Sequence, residues 1–113
     1  MEAWQVAVGA AQAKQAADIS VLDLQQIASF TNVFVICHGL NPRQNQAISE
    51  EVERQLKQEG VRPLSVEGFQ HAEWILMDYG DFVVHIFSRR ARDYYDLERL
   101  WKTARKVVVP EAG

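Results

Sequence analysis

Apolar residues recur at helical spacing most clearly in the middle of the chain. Ile48, Val52 and Leu56 stand at steps of four, with Ala47 beside them, so one side of a helix is apolar. Glu50, Glu51, Glu53, Arg54, Lys57 and Glu59 occupy much of the remainder. Ahead of the stripe, Asn41 suits a cap, Pro42 suits the first helical position, and Gln44 stands three residues after the cap. Gly60 supplies the stop. The spacing predicts a helix over 42–59 that packs against a sheet. Residues 2–17, rich in Ala and Gln, read as another helix, weakened by Gly9 and with a vague apolar stripe.

Elsewhere the apolar residues run together or alternate, which predicts strands. Residues 19–24 are apolar except for Ser20 and Asp23, and residues 33–37 form a second run behind Thr31 and Asn32. A short strand is expected at 63–67, and two longer ones at 73–79 and 81–87. These two join through Asp78-Tyr79-Gly80-Asp81, hairpin chemistry in which Gly80 is free to take positive φ. Along 73–79, Trp74, Leu76 and Asp78 point one way while Ile75, Met77 and Tyr79 point the other. Along 81–87, Phe82, Val84 and Ile86 oppose Asp81, Val83, His85 and Phe87. Both faces are largely apolar, so the sheet is covered on at least part of each side. Asp96 is expected to cap a last short helix carrying Leu97, Leu100 and Trp101 as a patch.

A strand from 33, a crossover through the helix at 42–59 and a return at 63 read as a right-handed parallel unit. Joined to the hairpin, it gives an α/β fold with a small mixed sheet flanked by helices. The expected organisation is an N-terminal helix over 1–17, an α/β domain over 18–102 and a flexible tail over 103–113.

Composition narrows the function. At 113 residues the chain has room for one domain and one core. Its 48% apolar and 24% charged residues are ordinary globular composition. A net charge of -3 argues against non-specific nucleic-acid binding, but the charge is uneven. Residues 1–88 carry five Lys/Arg against eleven Asp/Glu, and residues 89–113 carry seven against four. An acidic body with a basic end suits a basic protein on one side and a nucleic-acid backbone on the other, or simply a solvated surface. Cys37 is the single cysteine, which excludes an intrachain disulfide and reads as a buried core thiol. The chain opens with an acidic Glu2, and its early apolar stretch, 6–11, is far short of a membrane span. A cytoplasmic protein is expected.

Three places invite a functional reading. Asp78, Asp81 and His85 are the best candidates for a metal or acid–base site, and they would suit a metal-dependent nucleotidyltransferase or hydrolase acting on nucleotides. Against this, Asp on either side of a Gly turn is routine, and no third ligand stands at a telling spacing. The loop 38–43 leads to a helix N-terminus, a natural anion site, but lacks the glycines and Lys of a phosphate-cradling loop. Ordinary capping explains it. Trp74 opens a hairpin strand near Phe69 and Tyr79, rimmed by Glu73, Asp78 and Asp81. That composition suits a binding hot spot facing a basic partner, or a core Trp beneath a helix.

The central block carries a resemblance. Val66-Glu67-Gly68, then Glu73-Trp74-Ile75-Leu76-Met77-Asp78-Tyr79-Gly80-Asp81-Phe82-Val83-Val84-His85-Ile86-Phe87, resembles the hallmark of the ribosomal silencing factor family, the Iojap-like proteins. Tyr94-Tyr95-Asp96-Leu97-Glu98-Arg99-Leu100-Trp101 resembles its closing motif. Phe30-Thr31, Phe34-Val35-Ile36-Cys37, Gly39, Asn41 and Arg43-Gln44 follow its second strand and helix entry. The chain departs from the pattern at Asn32-Val33, His38, Leu40, Pro42 and Ala72, and these changes leave the hairpin block whole.

The resemblance implies a nucleotidyltransferase-like topology without enzymatic activity, metal or cofactor. It implies a translational repressor that binds the large ribosomal subunit through its protein numbered fourteen, at the inter-subunit face, and blocks joining of the small subunit. It implies partner contacts from Trp74, Leu76, Asp78, Tyr79 and Asp81, and homodimers of the isolated protein. The basic segment 89–106 is a candidate for contact with ribosomal RNA.

Overall fold

In the computed structural model, which describes residues 1–110, the chain runs α1 (Ala3–Ala13), β1 (Ala17–Asp23), β2 (Val33–Gly39), α2 (Pro42–Gln58), β3 (Ser65–Glu67), β4 (Trp74–Asp78), β5 (Phe82–Ser88), α3 (Arg89–Tyr95), α4 (Leu97–Leu100) and β6 (Arg105–Val107). The strands form one six-stranded sheet in the order β3-β4-β5-β2-β1-β6. The mixed α/β sheet flanked by helices is thus observed. β2 and β5 are buried along almost their whole lengths and pair in parallel at its centre, as strands without a polar face must.

The parallel unit differs from the expected one. The parallel partner of β2 is β5, not the strand following α2. β3 instead lies at the sheet edge, antiparallel to β4. The reason is its burial: Ser65 and Glu67 are exposed and only Val66 is apolar, so three residues cannot occupy a central position. β4 and β5 form the expected hairpin, with Gly80 at φ 85°.

α1 and α2 cover one face of the sheet, here called inner. Ala7, Ala10 and Ala11 of α1 and Ile48, Val52 and Leu56 of α2 meet Val35, Ile75, Met77, Val84 and Ile86 in the main core. α2 matches the expected helix closely, and Asn41 accepts from the Gln44 amide at 2.8 Å. α1 ends at Ala13, four residues before the expected boundary, because Gln15 turns left-handed at φ 60° and β1 begins at Ala17. Lys14, Gln15, Ala16 and Ala17 all favour helix by propensity, so composition did not mark this end. Cys37 lies in the core at 0% exposure, where burial pushes its thiol up to about 12.

Two elements were not expected. Ser88 caps α3 by accepting from the Ala91 amide at 3.0 Å. Within 103–113, a flexible tail in the expected organisation, β6 pairs with β1 through Val107 and Val21. Arg105 in that strand reaches the Asp23 carboxylate at 2.9 Å, which explains the polar interruption in β1. The last part of the expected tail, 111–113, lies outside the described residues.

Candidate docking surface

The outer face of the sheet is covered only in part. α3 has seven residues and α4 has four, and they shelter a smaller core of Leu22, Leu24, Phe34, Ile36, Val83 and Phe87. Alternation along β4 puts Trp74, Leu76 and Asp78 on this side, all half-buried, while Ile75 and Met77 vanish into the inner core. At the edge, β3 sets Ser65 opposite Asp78 and Glu67 opposite Leu76, both exposed. On the other flank, β5 sets His85 opposite Leu76 and Phe87 opposite Trp74.

An aromatic tract crosses the face. The Trp74 ring lies 5.0 Å from Phe87 and 4.6 Å from Tyr95. Its Nε1 donates to His85 Nδ1 at 3.1 Å. His85 meets Phe34 edge-on at 4.4 Å, and Phe34 meets Phe30 and Trp101 at 6.0 Å. Phe30 is 59% exposed, Tyr95 48% and Tyr94 80%, so the tract is open at both ends. Burial pushes the His85 imidazole down to about 3, which keeps it neutral.

Local contacts hold this arrangement. The Ser88 hydroxyl donates to the Glu73 carboxylate at 2.8 Å, and the Ser88 amide donates to the Glu73 carbonyl at 2.9 Å. These tie the start of β4 to the cap of α3 and bring Tyr95 over Trp74. Gly68 takes φ 79° against the Trp74 carbonyl, where a Cβ would collide with backbone. Arg92 is buried and clamps α3 to α4 and the sheet: its guanidinium reaches Glu98 at 3.1 Å, His38 Nδ1 at 2.9 Å and the Ala17 carbonyl at 3.3 Å.

The expected contact residues are therefore only partly brought together. Trp74, Leu76 and Asp78 form one row. Asp81 is exposed at the end of the turn beside it. Tyr79 lies on the opposite side, 9% exposed and stacked on Phe82 at 4.8 Å. Its hydroxyl is buried without a partner, and burial pushes its pKa up. A docking face combining Trp74, Leu76 and Tyr79 is thus corrected: strand alternation sends Tyr79 into the inner core. Leu100 likewise leaves the expected patch with Leu97, since it is 70% exposed.

Asp78, Asp81 and His85 do not converge either. Asp78 accepts from the Gly80 amide at 2.8 Å within the turn, while His85 faces Leu76, two residues along. Among the described residues, no group of three His, Cys, Asp or Glu side chains is placed to hold a metal. From sequence, Phe30 and Tyr94-Tyr95 stood as motif residues without a docking role, and His85 had no acceptor role. Two aromatic residues inside the polar segment 89–96 were the available signal for α3.

The family model for "Ribosomal silencing factor during starvation" matches residues 1–112. The chain belongs to the ribosomal silencing factor family. The ribosomal silencing factor of Bacillus subtilis is 42% identical over 100 residues, spanning 88% of this chain and 85% of that protein. A crystal structure of a Chromobacterium violaceum protein superposes with a TM-score of 0.86 at 33% identity, covering 100% of this chain and 97% of the other. A more distant relative, the mitochondrial assembly of ribosomal large subunit protein 1 of Mus musculus, is 29% identical over 91 residues, 78% of this chain and 40% of that protein. Membership places the chain among regulators of translation, not among enzymes. Among the described residues, no helix is long and apolar enough to cross a membrane.

Proposed function

We propose that this protein represses translation by docking its outer sheet face on the large ribosomal subunit, through the large-subunit protein numbered fourteen, and obstructing the small subunit. The observation that carries the reading is the row of Trp74, Leu76 and Asp78 in a half-covered aromatic tract, in a chain of the silencing family. A packed aromatic anchor within an apolar patch is hot-spot anatomy. Glu67, Asp78 and Asp81 rim the patch, and among the described residues none of them makes a salt bridge, so they suit Lys or Arg on a basic partner. Tyr79 enters this reading as the core-side support of the turn. The nucleotidyltransferase-like topology enters as a scaffold without its chemistry.

The basic end contributes less than its seven cations suggest. Arg92 is buried in its clamp, Arg105 is paired with Asp23 and Arg89 with Asp93. Arg90, Arg99, Lys102 and Lys106 are exposed, and these are the groups to meet ribosomal RNA phosphates. A homodimer of the free protein belongs to the same reading, with the apolar outer face covered by a second copy.

Co-sedimentation with isolated large subunits, followed by addition of small subunits, tests the proposal. Wild type is expected to bind and suppress joining. Folded Trp74→Ala is expected to lose about 2 kcal/mol or more of binding, some thirtyfold. Failure of wild type to bind at micromolar concentration would refute the reading, and metal-dependent nucleotide turnover abolished by Asp78→Asn would replace it.

A further inference from the structure

His85 is a buried side chain in the outer face whose chemistry does not suit its place. It is 3% exposed and lies among Val83, Phe87, Phe34 and Trp74. An apolar residue would fill that position without leaving a polar atom unpaired. His85 Nε2 has no hydrogen-bond partner, a state that buried groups seldom keep without reason. The gain is at the other nitrogen. Indole offers a single donor and no acceptor, and the Trp74 Nε1–H spends it on His85 Nδ1 at 3.1 Å. Accepting there requires the tautomer with its proton on Nε2, and a neutral ring can take it.

We propose that His85 is a positioning residue of the docking surface: it holds the Trp74 indole in one orientation and withdraws its N–H from any partner. The inference rests on the docking reading given above. Phe87 and Tyr95 restrain the same indole by packing, at 5.0 and 4.6 Å, but ring packing has no polar group to fix where the N–H points. The hydrogen bond selects one orientation. With its N–H occupied, Trp74 meets the partner through ring surface alone. The partner's complementary element is then apolar or cationic, such as an aliphatic side chain or the stem and head of Lys or Arg, and not a hydrogen-bond acceptor. This agrees with Asp78 in the same row and Glu67 on the neighbouring strand, neither of which makes a salt bridge among the described residues.

The test compares His85→Phe, which keeps a ring but removes the acceptor, with His85→Asn, whose amide oxygen approximates the Nδ1 position. Two readouts are taken. One is the indole N–H resonance of Trp74 in the free protein, identified by its loss in Trp74→Phe. The other is affinity for isolated large subunits. The wild-type resonance is expected at the position of a hydrogen-bonded indole with slow solvent exchange. His85→Phe is expected to shift it, speed its exchange and weaken subunit binding about tenfold, because an indole no longer held in its docking orientation must be ordered on binding. His85→Asn is expected to recover most of both. An unchanged resonance and affinity in folded His85→Phe would overturn the inference. If wild type ignores large subunits, the docking reading falls alone, and the resonance still decides whether His85 orients Trp74.

Discussion

The two faces of the sheet use the same alternating strands for opposite ends. The inner face sets Val35, Ile75, Met77, Val84 and Ile86, all at 0% exposure, beneath helices of eleven and seventeen residues. The outer face lies under helices of seven and four, and it leaves Trp74 and Leu76 half-buried and Phe30, Tyr94 and Tyr95 exposed. Sealing a sheet on one side supplies a stable domain. Leaving aromatic residues part-covered on the other retains apolar area that a partner can still bury. On the proposed docking reading, the contrast teaches that adjacent residues of β4 carry separate duties, stability at Ile75 and Met77, recognition at Trp74 and Leu76.

That separation can be broken one residue at a time. The largest expected effect is from Ile75→Ala, which opens a cavity in the inner core and should cost about 3 kcal/mol of stability by denaturant unfolding. At temperatures where it stays folded, its affinity for large subunits should match wild type. Trp74→Ala should do the reverse, losing about 2 kcal/mol of binding while keeping a cooperative unfolding transition.

Per pH unit, a smaller effect comes from His85. Its folded pKa is lowered to about 3 from an ordinary 6.5, so on acidification the unfolded chain takes the proton first. The stability tied to a neutral His85 is therefore complete above pH 6.5 and is lost as pH falls from there toward 3. The slope is about 1.4 kcal/mol per pH unit for one proton. Burial also lowers His38, so the measure is the difference in slope between wild type and His85→Asn. The smallest effect is at the rim: Asp81→Asn should leave stability within about 0.5 kcal/mol and reduce only the salt dependence of binding.

Much of this was legible in the sequence wherever periodicity and local chemistry agreed. The stripe of Ile48, Val52 and Leu56 behind Asn41-Pro42 marked α2, and Gly80 marked the hairpin. Strand pairing was less legible, because it depends on long-range burial: nothing local to 63–67 or 81–87 states which lies beside β2. α3 escaped notice because only Ala91 and Arg92 are buried in it, leaving no apolar stripe. β6 escaped because its partner, Asp23, looked like a defect in β1 until Arg105 stood opposite it. At the candidate site, alternation already placed Tyr79 opposite Trp74. Grouping them as one surface overrode that pattern, and the structure restores it.

The claim that the outer face docks is tested most directly by hydroxyl-radical footprinting of the protein free and bound to large subunits. Trp74, Phe30 and Tyr95 report on the outer face, while half-buried Trp4 and Phe69 report on the inner side. The account predicts that oxidation of the first three falls on binding while that of Trp4 and Phe69 is unchanged. Protection of Trp4 and Phe69 with Trp74 still reactive would contradict it.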